Sequence, residues 1–399
     1  MMAGTTAARA GAKVVLLDRQ ELGGEKLLLS GGGRCNLLPA MEDFDAFVSD
    51  APGHVVRRIL STWRLDDVRA FLEKHARISL AERKRSGKLF PVHGGGEEVR
   101  QRLVGMARRA NVELRMKSRA VEVQPTKKLH VYTEKGDEFV ARAVVLAMGG
   151  RSYPRTGSDG GGFRLAEGLG HCLVSPYPAL VALRTDCAEH RALAGVSVDV
   201  ELRAYAGEGK RRVRVRTEGP LLFTHRGYSG PAVLNAGHVV ARAIQQNDPF
   251  EVNVAWGGIA ETTWRDRLAE SGNDLRGLTK DALPARLADT LLSGSPLAGA
   301  DVPLDARAAN RVIRRLTDDR LPVTDTAGFG AAEATGGGVS LAELDTHRLE
   351  SLVSPGVFVA GEIVDVFGAI GGYNFQWAFV SGRLAGVSAA AKAGKGSVA

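Results

Sequence analysis

Short apolar segments and helical patterns alternate at both ends of the chain. Small residues from Ala3 to Ala10 predict a helix that Gly11 ends, and Val14 to Leu17 is an all-apolar run typical of a strand buried on both faces. Val357 to Ala360 is a second strand of this kind, and Gln376 to Ala391 predicts the last helix. Apolar strands that alternate with helices predict an α/β fold around a parallel sheet.

The middle of the chain has a different texture, with short β-like segments from about Ala179 to Val254 and several helices up to Arg320. We therefore predict one α/β domain in two segments, residues 1–178 and 334–399, interrupted by an insert at 179–333 that is β-rich over 179–258 and helical over 259–325. Within the first segment the pattern predicts helices at Asp66–His75 and Glu97–Ala110, strands at Asn111–Val123 and Leu129–Met148, and a turn at Lys135–Asp137.

The composition is that of an ordinary globular protein, with 44% hydrophobic and 25% charged residues in 399, which excludes a disordered or fibrous chain. A net charge of +8 permits a polyanionic partner without requiring one. Three cysteines without CxxC spacing suggest neither a disulfide framework nor a zinc site, and no apolar run approaches the ~18–20 residues that cross a bilayer. We expect a cytoplasmic protein without a metal.

Asp18 directly follows the first apolar strand. In a dinucleotide-binding βαβ unit, such a carboxylate lies ~20 residues after a G-x-G-x-x-G turn and binds a ribose hydroxyl. Counting back from Asp18 places that turn at or before Met1, so the first strand and its phosphate loop are not in this sequence. We expect the natural protein to begin upstream, with a strand of ~5–6 residues that leads into a glycine-rich turn.

Glycine is over-represented, with 49 residues, and it concentrates where a dinucleotide would bind. Consecutive glycines let backbone N–H groups approach an anion or a flat ring. In α/β sheets, ligands bind at the carboxyl ends of the strands, and a helix N-terminus carries partial positive charge. The candidate segments are Ser30-Gly31-Gly32-Gly33-Arg34-Cys35-Asn36 with Lys26 nearby, Gly149-Gly150 and Gly361-Glu362 after two predicted strands, and Gly371-Gly372-Tyr373-Asn374 before the last helix.

Two further features are open to a functional or a structural interpretation. His225, between Leu221–Thr224 and a Pro231-started helix that Ser229 would cap, is a candidate proton donor or a structural histidine. Basic residues are candidate phosphate contacts for RNA or a solvated surface: Arg307, Arg311 and Arg314 on one predicted helix face, Arg83-Lys84-Arg85, and Lys210-Arg211-Arg212.

Six ordered motifs resemble the BaiN/RdsA family of FAD-dependent oxidoreductases, flavoproteins of the aminoacetone-oxidase type, and the likeness runs nearly end to end. The motifs are KLLLSGGGRCN at 26–36, GKLFPV at 87–92, AMGGRSYPRTGSDGGG at 147–162, LLFTHRGYSGPAVL at 221–234, ATGGGVS at 334–340 and AGEIVDVFGAIGGYNFQWAFVSG at 360–382. The resemblance implies a Rossmann-like FAD-binding domain in two segments, interrupted by an insert with a β-barrel and a helical subdomain.

It also implies FAD held by Asp18, the Ser30–Asn36 loop, Gly149-Gly150, Gly361-Glu362 and the Gly371–Asn374 loop. This chain departs from the family at Asp18, where Glu is commoner, and at Phe367, where a small or polar residue is commoner.

Members of the family are assigned to two substrates: one type reduces a double bond in an oxidised bile acid, and another is linked to dihydrouridine in ribosomal RNA. We therefore expect NAD(P)H to reduce FAD, which passes hydride to an activated C=C bond of a small molecule. Cys35, His225 and Tyr373 are the candidate proton donors.

One alternative is an enzyme that docks ribosomal RNA through the basic insert and reduces uridine. Another is a degenerate, non-catalytic binding protein without a phosphate loop. The sequence does not fix the oligomeric state.

Overall fold

The computed structural model describes residues 1–83, 86–209, 212–270, 274–293 and 306–394. The chain divides into two compact units, one formed by Met1–Pro176 with Ala334–Ala399 and the other by Tyr177–Glu333. The boundaries therefore lie at 176/177 and 333/334, where the sequence analysis places them at 178/179 and 333/334. None of the described helices is both long and apolar enough to cross a bilayer.

The first unit begins with helices and short strands in alternation. Its N-terminal segment contains α1 (Met2–Arg9), β1 (Val15–Leu17), α2 (Lys26–Leu29), β2 (Leu38–Pro39), β3 (Phe47–Val48), α3 (Gly53–Ser61), α4 (Leu65–Phe71) with a π-helical turn (Leu72–Ala76), β4 (Leu80–Glu82), β5 (Lys88–Pro91), α5 (Gly96–Arg109), β6 (Glu113–Arg115), β7 (Ala120–Pro125), β8 (Leu129–Thr133), β9 (Glu138–Ala141), β10 (Val144–Leu146), α6 (Gly161–Gly168) and β11 (Leu173–Ala179).

The insert contains β12 (Leu183–Arg184), α7 (Ala188–Ala192), β13 (Ser197–Ala206), β14 (Val213–Thr224), β15 (Gly227–Ser229), α8 (Pro231–Gln246), β16 (Phe250–Trp256), α9 (Glu261–Glu270), α10 (Leu275–Ala282), α11 (Ala285–Leu292), α12 (Ala306–Thr317), β17 (Asp319–Arg320) and β18 (Asp325–Thr326). The chain then returns to the first unit with β19 (Ala334–Val339), β20 (Val357–Val359), β21 (Phe367–Gly368) and α13 (Tyr373–Lys392).

Two parallel strand pairs form the centre of the first unit. β1 pairs with β6, and β10 pairs with β20. β20 is buried along its whole length, which confirms the predicted strand with two buried faces. That interpretation is wrong for β1, whose Val15 is 37% exposed, because among the described residues β1 has a strand neighbour on one side only.

Smaller sheets surround this centre, in the orders β2-β5-β4, β7-β8-β9, β3-β21 and β11-β19. The predicted helices at 66–75 and 97–110 are confirmed as α4 with its π-helical turn and as α5. The two long predicted strands are each divided: 111–123 becomes β6 and β7, and 129–148 becomes β8, β9 and β10. The turn at Lys135–Asp137 is confirmed, with Gly136 at φ +86° between β8 and β9.

Helices α1 and α13 pack at close range through small residues. A Cβ atom built on Gly386 of α13 would lie 2.3 Å from the Ala3 carbonyl oxygen and 2.3 Å from Thr6 Oγ1. The Thr6 hydroxyl is buried and donates to the Met2 carbonyl at 3.0 Å. The small-residue pattern of the first helix therefore reflects the close approach of two backbones, where a larger side chain has no room.

The insert is built on one seven-stranded sheet in the order β17-β16-β13-β14-β15-β12-β18. Its described pairings are antiparallel, for example Leu202 opposite Thr217. The predicted β-barrel is not closed by hydrogen bonds, since the two end strands β17 and β18 do not pair within the described part of the chain. Large buried rings fill the core of this unit: Phe223, Tyr228, Trp256 and Trp264.

Helix α8 differs from its prediction at its first residues. Pro231 is the first helical residue, as predicted, but Gly230 occupies the capping position at φ +94° and no side chain caps the helix. Ser229 is the last residue of β15. The predicted cap by Ser229 is wrong because Ser229 belongs to strand β15, which leaves Gly230 as the capping residue.

We predict that Gly386→Ala destabilises the protein by about 1–3 kcal/mol, because its methyl group would overlap the Ala3 backbone. The matched control is Gly168→Ala at the exposed end of α6, where a Cβ atom meets nothing within 4 Å. That variant should be neutral or slightly more stable, since alanine favours the helix. Urea unfolding measures both, and equal effects would show that the α1–α13 contact tolerates a methyl group.

A second prediction concerns His238, which lies buried on α8 with its Nδ1 2.9 Å from the Asn235 carbonyl oxygen. Burial lowers the pKa of His238 to about 4, with Arg242 acting in the same direction and the Asn235 carbonyl opposing it. The unfolded chain therefore protonates His238 more readily than the folded chain does. The stability that neutral His238 allows is complete above pH 6.5 and is lost progressively as the pH falls toward 4.

We expect the protein to lose about 2 kcal/mol of stability through His238 between pH 7 and pH 5. His238→Gln, which is uncharged at both pH values, should remove this part of the pH dependence. Urea unfolding at the two pH values measures it, with His347→Gln at an exposed position as the control. An unchanged pH dependence in His238→Gln would contradict the assignment.

Candidate functional site

The predicted strand-end glycines lie at one edge of the first unit. β10 and β20 run parallel with Leu146 opposite Val359, and the Ala360 N–H donates to the Leu146 carbonyl at 3.0 Å. Gly149-Gly150 and Gly361-Glu362 therefore leave the same ends of two neighbouring strands. A Cβ atom on Gly149 would lie 4.0 Å from Glu362 Oε2, so the two segments approach each other closely.

The Glu362 carboxylate connects four segments of this unit. It accepts hydrogen bonds from the Lys26 ammonium, the Ser152 hydroxyl and the Thr335 backbone N–H, the last at 2.9 Å. Lys26 Nζ also donates to Ser152 Oγ at 2.5 Å. The side chains of Lys26 and Glu362 are only 26% and 19% exposed, so solvent screens the pair less than it screens a surface ion pair.

The sequence places Lys26 among the candidate dinucleotide-binding residues, and in the structure its ammonium contacts Glu362 and Ser152. Ser152 and Thr335 were not selected from the sequence, although both lie within the motifs that carry the family resemblance. The Thr335 hydroxyl accepts the N–H groups of Arg151 and Ser152 at 2.8 and 3.1 Å. A Cβ atom on Gly150 would lie 2.3 Å from this hydroxyl, which explains the glycine there.

The Ser30–Asn36 loop is a tight turn that depends on glycine. Gly31, Gly32 and Gly33 have φ values of +59°, +64° and +83°. The N–H groups of Gly33 and Cys35 donate to the Ser30 carbonyl, and that of Arg34 donates to the Gly31 carbonyl. Three N–H groups of the loop are thus used to hold its own turn, while the glycine surfaces and the Arg34 side chain are exposed.

Asn36 ends this loop with a buried oxygen. Its Oδ1 atom has no hydrogen-bond partner in the described part of the chain. Because a buried polar oxygen without a partner costs about 1–3 kcal/mol, this atom is suited to accept a hydrogen bond from a bound group.

Asp18 follows β1 as predicted. One of its carboxylate oxygens accepts the Gln20 N–H at 2.8 Å, which fixes the side chain at the strand end. Its backbone continues the β1–β6 pairing, because the Asp18 N–H donates to the Arg115 carbonyl at 3.0 Å. The second carboxylate oxygen accepts no hydrogen bond from the described residues, as a ribose-binding carboxylate requires.

The Gly371–Asn374 loop leads into α13, the longest described helix of the chain, with 20 residues. Gly371 and Gly372 have φ values of +127° and +100°, and a Cβ atom on Gly372 would lie 2.4 Å from the Leu38 carbonyl carbon. The Asn374 side chain accepts the Gly368 N–H at 2.9 Å and donates to the Gly368 carbonyl at 2.8 Å. Asn374 therefore holds the loop that positions the N-terminus of α13.

The three candidate proton donors differ in their surroundings. Cys35 is completely buried, and burial raises the pKa of its thiol to about 12. Tyr373 is half-buried, and its ring centroid lies 5.6 Å from that of Phe47 in an edge-to-face arrangement. Burial, together with the nearby Asp43, raises the pKa of its phenol. Both groups are therefore protonated at neutral pH. His225 is an exposed turn residue of the insert, and its carbonyl accepts the Arg191 Nε–H at 3.0 Å.

Asp159 is a residue that the sequence analysis did not select. It accepts hydrogen bonds from Arg19 at 2.5 Å and Arg119 at 2.8 Å, so it ties the segment after β1 to the glycine-rich segment after β10. Burial acts to raise the pKa of Asp159, but the Gly161 N–H and the two guanidinium groups hold it below its usual value. The signal in the sequence was the SDGGG run at 158–162.

The basic segments have separate surroundings. Arg307, Arg311 and Arg314 are exposed on α12, while Val312, Ile313 and Leu316 on the same helix are buried, which confirms the predicted face. Arg83 lies over the Phe90 ring at 5.6 Å and Arg212 over the Tyr205 ring at 4.5 Å. The predicted contacts at 84–85 and 210–211 lie outside the described residues.

These residues fit FAD. A dinucleotide needs a carboxylate at a strand end for its ribose, close backbone approach at glycines and a helix N-terminus for negative charge. Asp18, the Ser30–Asn36 loop with its buried Asn36 oxygen, and the N-terminus of α13 provide groups of these kinds within one unit. The Glu362 network joins α2, which leads into the Ser30–Asn36 loop, to the segments that contain Ser152 and Thr335.

Comparisons with known proteins identify the family of the chain. A family model described as "HI0933-like protein Rossmann domain" matches residues 1–388. The chain is 30% identical over 387 residues to a 3-dehydro-bile acid delta(4,6)-reductase from Clostridium scindens, which covers 95% of this chain and 93% of the relative. It is 31% identical over 386 residues to a ribosomal RNA dihydrouridine synthase from Escherichia coli, which covers 96% and 93%.

A similar solved structure is the open conformation of a flavocytochrome c3 fumarate reductase, with a TM-score of 0.49 and 20% identity over 98% of this chain and 76% of that one. The family match, by contrast, spans both segments of the first unit and the whole insert. The chain therefore belongs to the HI0933-like Rossmann family, the BaiN/RdsA family of FAD-dependent oxidoreductases that its motifs indicate.

Proposed function

We propose that this protein is an FAD-dependent reductase that takes hydride from NAD(P)H and adds it to a C=C bond activated by a neighbouring carbonyl. The observation that carries the proposal is the pair of relatives at 30% and 31% identity over nearly the whole chain. One is named for reduction of a bile-acid double bond and the other for formation of dihydrouridine. Both reactions add hydrogen across a C=C bond, although the substrates differ greatly in size.

The chain's own residues would bind and orient the cofactor. Asp18 suits the adenosine ribose, Gly31 to Gly33 suit close approach of a ring or pyrophosphate, and the N-terminus of α13 suits negative charge on the flavin. The Lys26–Glu362–Ser152 contacts join α2, which precedes the glycine loop, to the segments that follow β10 and β20. Bound FAD would supply the hydride chemistry itself.

Addition of hydride to one carbon requires a proton at its neighbour. Cys35 and Tyr373 are both protonated at neutral pH in this unit because burial raises the pKa of each, so either could act as a general acid toward a neighbouring carbanion. Tyr373 is the partly exposed first residue of α13, directly after Gly371-Gly372, whereas Cys35 is completely buried. These surroundings support Tyr373 over Cys35 as the donor.

A second candidate function is reduction of uridine in ribosomal RNA. It is supported by relatives from Escherichia coli and Haemophilus influenzae, 31% and 26% identical, that carry the name ribosomal RNA dihydrouridine synthase. The uracil C5=C6 bond is conjugated to a carbonyl, so the same hydride and proton additions apply. The net charge of +8 is compatible with an RNA substrate.

The proposal is tested with the purified protein reconstituted with FAD. We expect absorbance near about 370 and 450 nm, bleaching under anaerobic NADH or NADPH, and return of the colour when a conjugated enone steroid is added. Acid should release all the flavin, because the site supplies only non-covalent contacts. A protein that stays colourless with FAD, or a flavin that neither nicotinamide cofactor reduces, would refute the proposal.

Gly33→Val is predicted to weaken FAD binding by roughly tenfold or more, because valine strongly disfavours the φ of +83° and adds bulk to the loop. Gly136→Val, at φ +86° in the β8–β9 turn with nothing within 4 Å, is the matched control for backbone strain. It should lose a similar amount of stability and keep its flavin. Titration of the apoprotein with FAD measures the difference, and equal FAD affinities would remove the loop from the binding site.

A further inference from the structure

A group of aromatic and cationic side chains forms a shallow surface on the first unit. We call it the Trp63 surface, and its members come from the end of α1, the α3–α4 connection, α4 with its π-helical turn, and α13: Arg9, Trp63, Phe71, Lys74, His75 and Arg383. It borders an open cavity of about 430 Å³.

The rings of this surface form a continuous row. The Trp63 and Phe71 centroids lie 5.2 Å apart, and those of Phe71 and His75 lie 4.7 Å apart. Guanidinium groups lie over two of them, with Arg383 5.2 Å from Trp63 and Arg9 5.7 Å from Phe71. Trp63 is nearly buried, whereas Phe71 and His75 are partly exposed and offer ring surface to a ligand.

The cations of this surface are not neutralised locally. Among the described residues, no carboxylate lies within 4.0 Å of the cationic groups of Arg9, Lys74 or Arg383, and Asp67 is the single acid that lines the cavity. The Arg9 guanidinium lies 3.1 Å from His75 Nδ1, a contact with a neutral ring that leaves its charge without a counter-ion, whereas Arg102 pairs with Glu98. Three positive charges therefore border the ring row without an ion-pair partner within 4.0 Å among the described residues.

The Trp63 surface is separate from the candidate FAD residues. Arg383 follows Tyr373 by ten positions on α13, which at 1.5 Å per residue is about 15 Å along the helix. The cations and rings here have no part in the contacts of Glu362, Asp18 or the Ser30–Asn36 loop.

We propose that the Trp63 surface binds a single-stranded segment of RNA, with its phosphates on Arg9, Lys74 and Arg383 and an unstacked base against Phe71 and His75. Cationic grooves with interleaved aromatic rings are the usual means by which proteins hold single strands. The choice of RNA rests on the second candidate function. The exposed arginines of α12 are the rival surface, but none of them contacts a ring within the described residues.

The test measures fluorescence anisotropy of a fluorescein-labelled oligouridine of about 12 nucleotides with the full-length, FAD-loaded protein. Arg9→Glu with Arg383→Glu should weaken binding at least about tenfold and lower the log–log salt slope by about 1.4, the value for two phosphate contacts to a single strand. Lys74→Glu, at an exposed position, provides a second variant with the same expected direction. Unchanged flavin content shows that each variant is folded.

Phe71→Leu separates stacking from charge. It keeps an apolar side chain but removes the ring, so affinity should fall about tenfold while the salt slope stays the same. The matched control is the triple change Arg307→Glu, Arg311→Glu and Arg314→Glu on α12, which reverses more charges and should leave binding and slope close to those of the wild type.

Three results would overturn the proposal: no RNA binding by the wild type, binding within about twofold of wild type in the Arg9→Glu, Arg383→Glu variant, or loss of binding only in the α12 variant. Reduction of a small enone is measured on the same preparations. Enone reduction does not require the Trp63 surface. A preparation that binds RNA but does not reduce the enone would therefore count against the proposed reductase activity and not against the RNA surface.

Discussion

The parallel pairing of β10 with β20 is the constraint on which the first unit depends. It joins Val144–Leu146 to Val357–Val359, two segments with the whole insert between them in the sequence. β20 is completely buried, so this pairing is also part of the hydrophobic core. Because parallel strands end at the same edge, it places Gly149-Gly150 beside Gly361-Glu362 and allows one carboxylate to contact segments from both parts of the chain.

The Glu362 carboxylate extends this constraint to the loops. A carboxylate has two oxygens that can accept several hydrogen bonds, and here they receive the Lys26 ammonium, the Ser152 hydroxyl and the Thr335 N–H. A partly buried ion pair of this kind contributes little net stability when solvation is counted, but loss of one partner leaves a costly charge. Its role is therefore better understood as fixing the relative positions of the segments that it joins than as stabilising the fold.

The insert obeys a different principle. Its sheet is antiparallel and is filled by large rings, with Phe223 stacked on Trp256 at 5.8 Å and the His190 ring nitrogen 2.6 Å from the Tyr228 hydroxyl. The family motif at 221–234 lies on β14, β15 and the start of α8, so much of its sequence specificity serves this core. His225 and Arg226 form the exposed turn within it, so the motif does not by itself identify a proton donor.

Periodicity and glycine placement were enough to predict the α/β class, the buried strand at 357–360, the helices at 97–110 and 376–391 to within three residues at each end, and the exposed arginine face of α12. Each of these follows from local burial patterns. Other features depend on which segments become neighbours. They are the unpaired end strands β17 and β18 of the insert sheet, the exposure of β1, the strand that reaches Ser229 and the contact of Lys26 with Glu362. The local pattern of apolar and polar residues does not show which distant segments become neighbours. The sequence by itself determined which residues are candidates to bind a dinucleotide. Only the tertiary structure decided that Glu362 accepts hydrogen bonds from Lys26, Ser152 and Thr335. The reason is that the parallel pairing of strands brings together partners separated by up to 336 positions.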